Sequence, residues 1–400
     1  MAAVTPEINS RAGSIWLGRL RGLPWWGKVA LLWLALAVGL SAAGLLGARV
    51  LDLSTGYDPI VSTPPDAWPG VWARWDSPYY YHIARDGYAD LQYAMGYFPL
   101  FPLSVAALSR LTGWHLVFSG VVIAQASYLA ALLIFYRLAR LVRDDHGFAM
   151  RSVVAMAVFP TSFFFLAMYA ESLSLALGLL SIYLALRGRW VRSGLALGLA
   201  AAARPVGWLL LIIIVAEFVR RRQFDRRSIV SLLGGLALSV SGIVIYVLYL
   251  YSLTGTFFAI TQAQALWLRS WQFPWVTLGR SIQLVFTGSG VEGDWFLYAV
   301  NWSDLLFTVL TIGLTIIAFR RLPRGLFLYL AGSLIFLLCQ QGLPVVPLWG
   351  MARWVAALFP LYFVIAGLTE GKIAFRASTL VSALLMIGLT AWWASGRWVG

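Results

Sequence analysis

The residues able to do chemistry are few and sit in short polar islands of an apolar chain. The densest island runs Arg74-Trp75-Asp76-Ser77-Pro78-Tyr79-Tyr80-Tyr81-His82-Ile83-Ala84-Arg85-Asp86-Gly87-Tyr88. A carboxylate at the lip of a cavity takes the proton of an attacking hydroxyl, and Asp76, Asp86, Asp90 and the later Glu171 are the candidates. His82 and Asp86 are four apart and share a helix face, which suits His82 to orienting a neighbour. A purely structural account fits the same residues. Asp76 suits an N-cap, Pro78 the first turn and Gly87 the C′ position. Trp75 and Tyr80 stand at the N′ and N4 positions of a hydrophobic staple. On that account Asp76 only starts a juxtamembrane helix. It leaves the gathering of Arg74, His82, Arg85 and the acids unexplained.

Glu171 interrupts the run Met168-Tyr169-Ala170-Glu171-Ser172-Leu173. An acid at membrane depth is a functional candidate by default, although the first turn of a helix also favours one. Arg204 lies inside the apolar stretch Ser193–Val219, where an arginine needs an anion. That anion is Glu171, in a structural ion pair, or a phosphate gripped by the planar guanidinium fork. Arg353, in Trp349-Gly350-Met351-Ala352-Arg353-Trp354, is a snorkelling interfacial arginine or a second phosphate clamp. Gln262, Gln264, Trp267, Arg269, Trp271, Gln272 and Trp275 mix amides with aromatics. That mixture suits sugar stacking, and equally an amphipathic helix at the membrane interface.

The elements that must position these groups are membrane helices. Of 400 residues, 60% are hydrophobic and 12% charged, against about 45–50% and about 25% in ordinary globular chains. Mean hydropathy is +0.79. This composition excludes a cytosolic enzyme, a secreted domain and a disordered regulator. The net charge of +14 follows from the positive-inside rule, with no nucleic-acid motif to claim it. The single cysteine, Cys339, excludes an intrachain disulfide and a cysteine metal cluster. His82, His115 and His146 are too scattered for a His-rich site.

A span needs about 20 apolar residues. Val29–Val50, Leu116–Leu141, Ile229–Leu253, Leu305–Phe319, Gly325–Gln340, Trp354–Leu368 and Ala374–Trp393 are expected spans. Ser152–Leu186 is expected as a hairpin of two short spans turning near Tyr169–Ser172, and Phe98–Leu111 as an interfacial helix. Ser193–Val219 has arginines at both ends and Arg204-Pro205 in its middle. It reads as a re-entrant pair of half-helices, which membranes tolerate where they line a protein cavity. With the N-terminus cytoplasmic, 21 of the 30 Lys and Arg residues face inward and 8 outward. The expectation is one all-α polytopic domain over residues 1–400 with about nine full spans plus the re-entrant pair. Two loops, 51–112 and 254–304, face outward. The first apolar run has no nearby cleavage site and is expected to be a retained anchor.

At these residues the sequence resembles the GPI mannosyltransferase II (PIG-V) family and its prokaryotic relatives. The resemblance rests on Arg74-Trp75-Asp76 running into Tyr81-His82-Ile83-Ala84-Arg85-Asp86-Gly87-Tyr88, then Tyr97-Phe98-Pro99-Leu100-Phe101-Pro102. It continues through Phe159-Pro160-Thr161-Ser162, Tyr169-Ala170-Glu171-Ser172, Ala203-Arg204-Pro205-Val206-Gly207, Ala352-Arg353-Trp354 and Phe359-Pro360. It spans roughly residues 70–365.

The resemblance implies a GT-C-like fold and an enzyme that takes sugar, mannose by the family's habit, from a polyprenyl- or dolichyl-phosphate donor. Transfer to an acceptor hydroxyl follows on the extracytoplasmic face, with inversion at C1. The essential acid of such enzymes lies in the first outer loop soon after the first span, the place of Asp76. Arg74, Trp75, Tyr79, His82, Arg85, Asp86, Tyr97, Glu171, Arg204, Gln262, Trp271 and Arg353 are the expected substrate contacts. The acceptor is a lipid, glycan or protein. No cofactor is required by this scheme, and a divalent metal held by the outer acids is compatible with it. The membrane is the plasma membrane of a prokaryote, or the endoplasmic reticulum of a eukaryote. The rival class is a transporter or lipid flippase without covalent chemistry, to which re-entrant half-helices around a charge are also suited.

Overall fold

The computed structural model describes residues 22–51, 63–89, 92–222, 224–288 and 293–399. Asp90, one of the expected acids, lies outside them. Among the described residues the chain is built from helices, with one two-residue strand pair. In chain order the helices are α1 (Trp25–Val50), α2 (Ser77–Asp86), α3 (Leu100–Thr112), α4 (Leu116–Val142), α5 (His146–Ala157) and α6 (Glu171–Ala185). Then come α7 (Trp190–Ala203), α8 (Leu211–Arg221), α9 (Arg226–Thr254), α10 (Ala259–Leu266) and α11 (Pro274–Thr287). The series closes with α12 (Trp295–Arg321), α13 (Arg324–Cys339), α14 (Met351–Trp354), α15 (Pro360–Leu368) and α16 (Lys372–Ala394).

Local chemistry sets several of these ends. Asp145, Asp225 and Asp294 cap α5, α9 and α12, their carboxylates accepting from Gly147 N, Ser228 N, and Phe296 N and Leu297 N. Each bond satisfies a donor that the helix leaves unpaired. Gly113, Gly255 and Gly288 end α3, α9 and α11 in the left-handed conformation that only glycine adopts freely.

Five helices, α1, α4, α9, α12 and α16, have the length and hydropathy of full spans. Of the hairpin expected over Ser152–Leu186, the second arm is α6, which rises only roughly 22 Å at 1.5 Å per residue, while the first leaves the α-helix at Ala157, the end of α5, and continues through a 3-10 turn over Ser162–Phe165. The segment expected as a single span over Trp354–Leu368 is instead broken, with an 83° bend between Met351–Ala357 and Pro360–Leu368. Pro360 has no N–H to continue the helix and opens a new one.

The arginine-flanked stretch forms two short helices, α7 and α8, broken at Arg204-Pro205. Arg204 is extended, at φ −152° and ψ 133°, because a residue before proline avoids the helical region. A 3-10 turn over Pro205–Leu210 then leads into α8. The two outer ends of the pair return to one another: Trp190 packs edge-on against Phe218, and Arg221 donates to Leu186 O at 2.6 Å.

Segments expected on one membrane side touch one another. Arg143 donates to Glu370 at 2.5 Å and Arg321 to Gly367 O at 3.3 Å. At the opposite end, Arg74 donates to Ala394 O at 2.6 Å and Asn301 to Val345 O at 2.8 Å. There too β1 (Ser270–Trp271) pairs antiparallel with β2 (Gln340–Gln341), Ser270 opposite Gln341.

Helices α7 and α9 meet backbone to backbone. A Cβ at Gly194 would lie 1.9 Å from Gly235 O, and one at Gly242 would lie 2.1 Å from Gly198 O. Small residues allow this approach in apolar surroundings. The first and last helices meet likewise, a Cβ at Gly47 falling 2.4 Å from Ala391 O.

Candidate active site

The first polar island folds into a sharp turn ahead of α2. Arg74 is buried and pinned, donating to Pro65 O at 2.7 Å and Ala394 O at 2.6 Å. The next residue, Trp75, has φ +54°, a conformation that costs a residue with a side chain about 1–3 kcal/mol. Its ring lies edge-on against Trp398. The turn therefore holds Arg74 in the scaffold and delivers Asp76 to a different place.

Asp76 stands at the N-cap of α2, yet its side chain makes no capping bond. Its backbone N–H is taken by the Tyr169 hydroxyl at 3.3 Å, which itself donates to Arg74 O at 3.0 Å. The carboxylate instead turns to partners across the cavity wall. Oδ1 accepts from the Tyr97 hydroxyl at 3.0 Å and Oδ2 from Arg353 Nη1 at 2.5 Å. The expected cap role is replaced by an ion pair. The rings of the expected staple also find partners elsewhere, Tyr80 packing on Tyr97, Phe101 and Tyr169.

Glu171 comes to the same point from the start of α6. The preceding turn is docked on the first island, with Met168 N donating to Trp72 O at 3.0 Å and Ser77 Oγ to Met168 O at 3.3 Å. Glu171 Oε1 accepts from Arg353 Nε at 2.5 Å, also contacts Arg353 Nη2, and lies 2.7 Å from Arg204 Nη1. Arg353 lies over the Tyr169 ring, its guanidinium carbon 4.4 Å from the centroid. Asp76, Arg353, Glu171 and Arg204 thus form one chain of alternating charge. Removing one partner of a buried pair costs about 3–5 kcal/mol because it strands the other.

This chain borders a cavity of about 370 Å³ lined by Asp76, Tyr80, Tyr97, Arg204, Gln264, Trp267, Arg269, Trp271, Trp349, Arg353, Trp354 and Trp398 among others. A mainly apolar groove adjoins it, walled by Leu175, Leu179, Leu210, Tyr329, Leu358 and Phe359. Arg204, Val206, Leu337 and Trp354 line both spaces. The polar chamber and the apolar groove share a wall at an arginine and a tryptophan.

The cations outnumber the acids here. Arg204, Arg269 and Arg353 face Asp76 and Glu171, three against two, leaving one positive charge. Arg269 makes no ion pair among the described residues. Its guanidinium carbon lies 4.7 Å from the Trp354 ring centroid. Burial pushes the Arg269 guanidinium below its ordinary pKa, with nearby Asp76 and Tyr97 opposing the shift. Tyr97 is pushed the other way: burial and then the Asp76 charge hold its hydroxyl well above the usual value, so it stays a donor to Asp76 at neutral pH.

Of the residues expected at the site, Asp76, Tyr97, Glu171, Arg204, Trp271 and Arg353 line the cavity or the groove. Tyr79 backs Tyr97 by stacking, with centroids 4.9 Å apart. Arg74 belongs to the scaffold below. His82, Arg85 and Asp86 form a separate outer cluster away from the cavity lining. There Arg85 donates to Asp86 at 2.8 Å and holds its carboxyl below the usual range, while His82 Nδ1 lies 3.9 Å from Asp86. Gln262 is exposed on α10, and Gln264 lines the cavity in its place. Arg269 and Trp267 stood in the amide-and-aromatic mixture without being singled out. Trp354 stood in the Ala352-Arg353-Trp354 motif of the resemblance without being singled out, and Trp398 gave no signal beyond being aromatic. Among the described residues no three His, Cys, Asp or Glu side chains come together as a metal set.

An all-α polytopic chain with a charge network around a cavity, and an apolar groove beside it, defines a membrane protein with a built internal site. Residues 66–273 match the family model described as Mannosyltransferase (PIG-V), and the chain belongs to that family. Among solved structures, the oligosaccharyltransferase of Archaeoglobus fulgidus in its apo form is similar at 13% identity and a TM-score of 0.46, over 94% of this chain and 56% of that one. Arabinosyltransferase EmbB from Mycobacterium smegmatis is similar at 12% identity and a TM-score of 0.45, over 98% of this chain and 38% of that one. The chain therefore spans little more than half the length of the first and less of the second. No curated protein matches it.

Proposed function

We propose that this protein is an integral-membrane glycosyltransferase of the GT-C type. It moves a hexose, mannose by family, from a polyprenyl-phosphate sugar to an acceptor hydroxyl on the extracytoplasmic face. The observation that carries the reading is the meeting of groove and cavity at Arg204 and Trp354, with one arginine in excess. A polyprenyl-phosphate sugar has an apolar tail, a phosphodiester with one negative charge, and a sugar. Groove, unmatched arginine and cavity offer those three parts one place each.

On this reading the tail lies in the groove and the phosphodiester between Arg204 and Arg269. Asp76 accepts the proton of the acceptor hydroxyl as its oxygen attacks C1. The bond from C1 to the phosphate oxygen breaks on the opposite face, which inverts the configuration. The electron pair leaves with the lipid phosphate, whose growing charge the arginines stabilise. Arg353 holds Asp76 at the cavity wall, and Tyr97 occupies Oδ1 from the side. A carboxylate has about four acceptor sites, so these two partners leave room for the acceptor hydroxyl.

The test is transfer in membranes containing the chain, supplied with radiolabelled polyprenyl-phosphate mannose. The expected result is label in a new glycoside of inverted configuration, absent from control membranes. Movement of the donor across the bilayer with no new glycosidic bond would replace this reading with the transporter.

A further inference from the structure

The residue before Arg353 is gripped on both of its polar sides. Asp304, wholly buried on α12, accepts from Ala352 N at 2.8 Å. Thr161, also wholly buried, donates to Ala352 O at 2.6 Å. The two grips come from elements far from Ala352 in sequence. Gly350 opens the turn at φ +89°, and a Cβ there would meet the Trp354 ring at 3.2 Å. From this turn Arg353 reaches Asp76 and Glu171, and Trp354 reaches Arg269. The place of both side chains is therefore set by how the backbone of Ala352 is held.

Asp304 has an oxygen to spare. Its Oδ2 is buried and makes no hydrogen bond among the described residues, a costly state for a polar atom that the nearby backbone N–H groups of Gly350 and Met351 offset in part. A leucine would fill that space without the cost but would also abandon Ala352 N–H.

We propose that Asp304 is a positioning residue, which sets Arg353 and through it Asp76 while touching neither. The reaction it serves is the one proposed above. Preorganised geometry of this kind is worth orders of magnitude in rate, and a misplacement of about 1 Å costs on the order of 10²-fold.

The experiment compares Asp304→Asn and Asp304→Leu, alone and with Arg353→Lys, by hydrogen exchange of residues 350–354 and by transfer kinetics. Asn keeps an acceptor oxygen, so Asp304→Asn should exchange like the parent and lose no more than about threefold in kcat, far less than a misplaced group costs. Asp304→Leu should exchange faster there and lose about 10- to 100-fold in kcat, with donor KM nearly unchanged. In the Arg353→Lys background the same change should add less than about twofold, because residues acting through one contact are not additive. Independent, additive losses would overturn the proposal, as would unaltered exchange in Asp304→Leu. If Asp304→Leu does not fold, Thr161→Val decides, since it releases the other polar group of the same residue. It should show the same faster exchange and lower kcat, and parent-like behaviour would overturn the proposal. A parent protein that transfers no sugar would instead sink the proposed function. The exchange measurements would still judge the grip of Asp304 on the turn.

Discussion

Asp76 can be tested with a substitution that keeps its shape while removing its charge and its ability to take a proton. Asp76→Asn keeps the shape of the side chain and an oxygen for Tyr97 or Arg353, and it gives up no capping bond because none is made. Arg353 retains Glu171. The variant should therefore fold, with a Tm lowered because Arg353 loses one of its two anions, and lose about 10²–10⁴-fold in transfer, the usual worth of a general base. Retention of more than a small fraction of turnover in a labelled-donor assay would remove Asp76 from that role. Arg269 makes a different prediction. Arg269→Lys keeps the charge but loses the flat fork that both stacks on Trp354 and pairs with two phosphate oxygens. Apparent donor KM should rise with kcat less affected, and an unchanged KM would take the phosphate away from Arg269. The acids and arginines of the charge chain were legible because charge in an apolar sequence is costly and needs a partner. Arg269 was not. It lay in a loop where a solvated cation costs nothing, and its burial follows from Trp354, far away in sequence. Spacing placed His82 and Asp86 on one helix face, but spacing does not say which way that face turns, and neither lines the cavity.

At the scale of elements, backbone contact fixes the arrangement wherever glycines face one another. Gly198→Leu would drive a side chain into Leu238 O, which a Cβ alone would meet at 2.3 Å. Overpacking of this kind costs typically about 1–3 kcal/mol, and here the opposing atoms are backbone and cannot swing aside. A large fall in Tm in detergent is expected, together with loss of transfer as α7 carries Arg204 out of place. A variant as stable as the parent would contradict the close α7–α9 contact. The far end of the molecule offers a gentler test. Arg143 hydrogen-bonds Glu370 and holds its carboxyl below the usual range. The contribution of this pair is whole above the ordinary glutamate value of about 4.3 and fades as pH falls through the lowered one. Glu370→Gln should therefore reduce the drop in Tm between about pH 5 and about pH 3, by a small amount because the pair is exposed. Most helices were legible from apolar runs ended by Asp, Gly or Pro. The bend at Pro360 was missed because hydropathy reports how apolar a stretch is, whereas the break depends on one absent N–H.

For the whole molecule, the distribution of arginine predicts a direction across the membrane. In a Cys339→Ser background, Arg110→Cys should react with an impermeant thiol reagent applied from outside, while Phe224→Cys should react only after permeabilisation. The reverse pattern would put Asp76 on the cytoplasmic side and exclude an extracytoplasmic donor site. The apolar groove that meets the cavity at Arg204 and Trp354 carries a kinetic consequence as well. A substrate held by its tail arrives by diffusion within the lipid plane, not through bulk water. The concentration that governs turnover is then the donor's mole fraction in the bilayer or micelle. At fixed amounts of protein and donor, adding inert detergent or lipid should slow the reaction by surface dilution, while changing the volume of buffer should leave the rate of each enzyme molecule almost untouched.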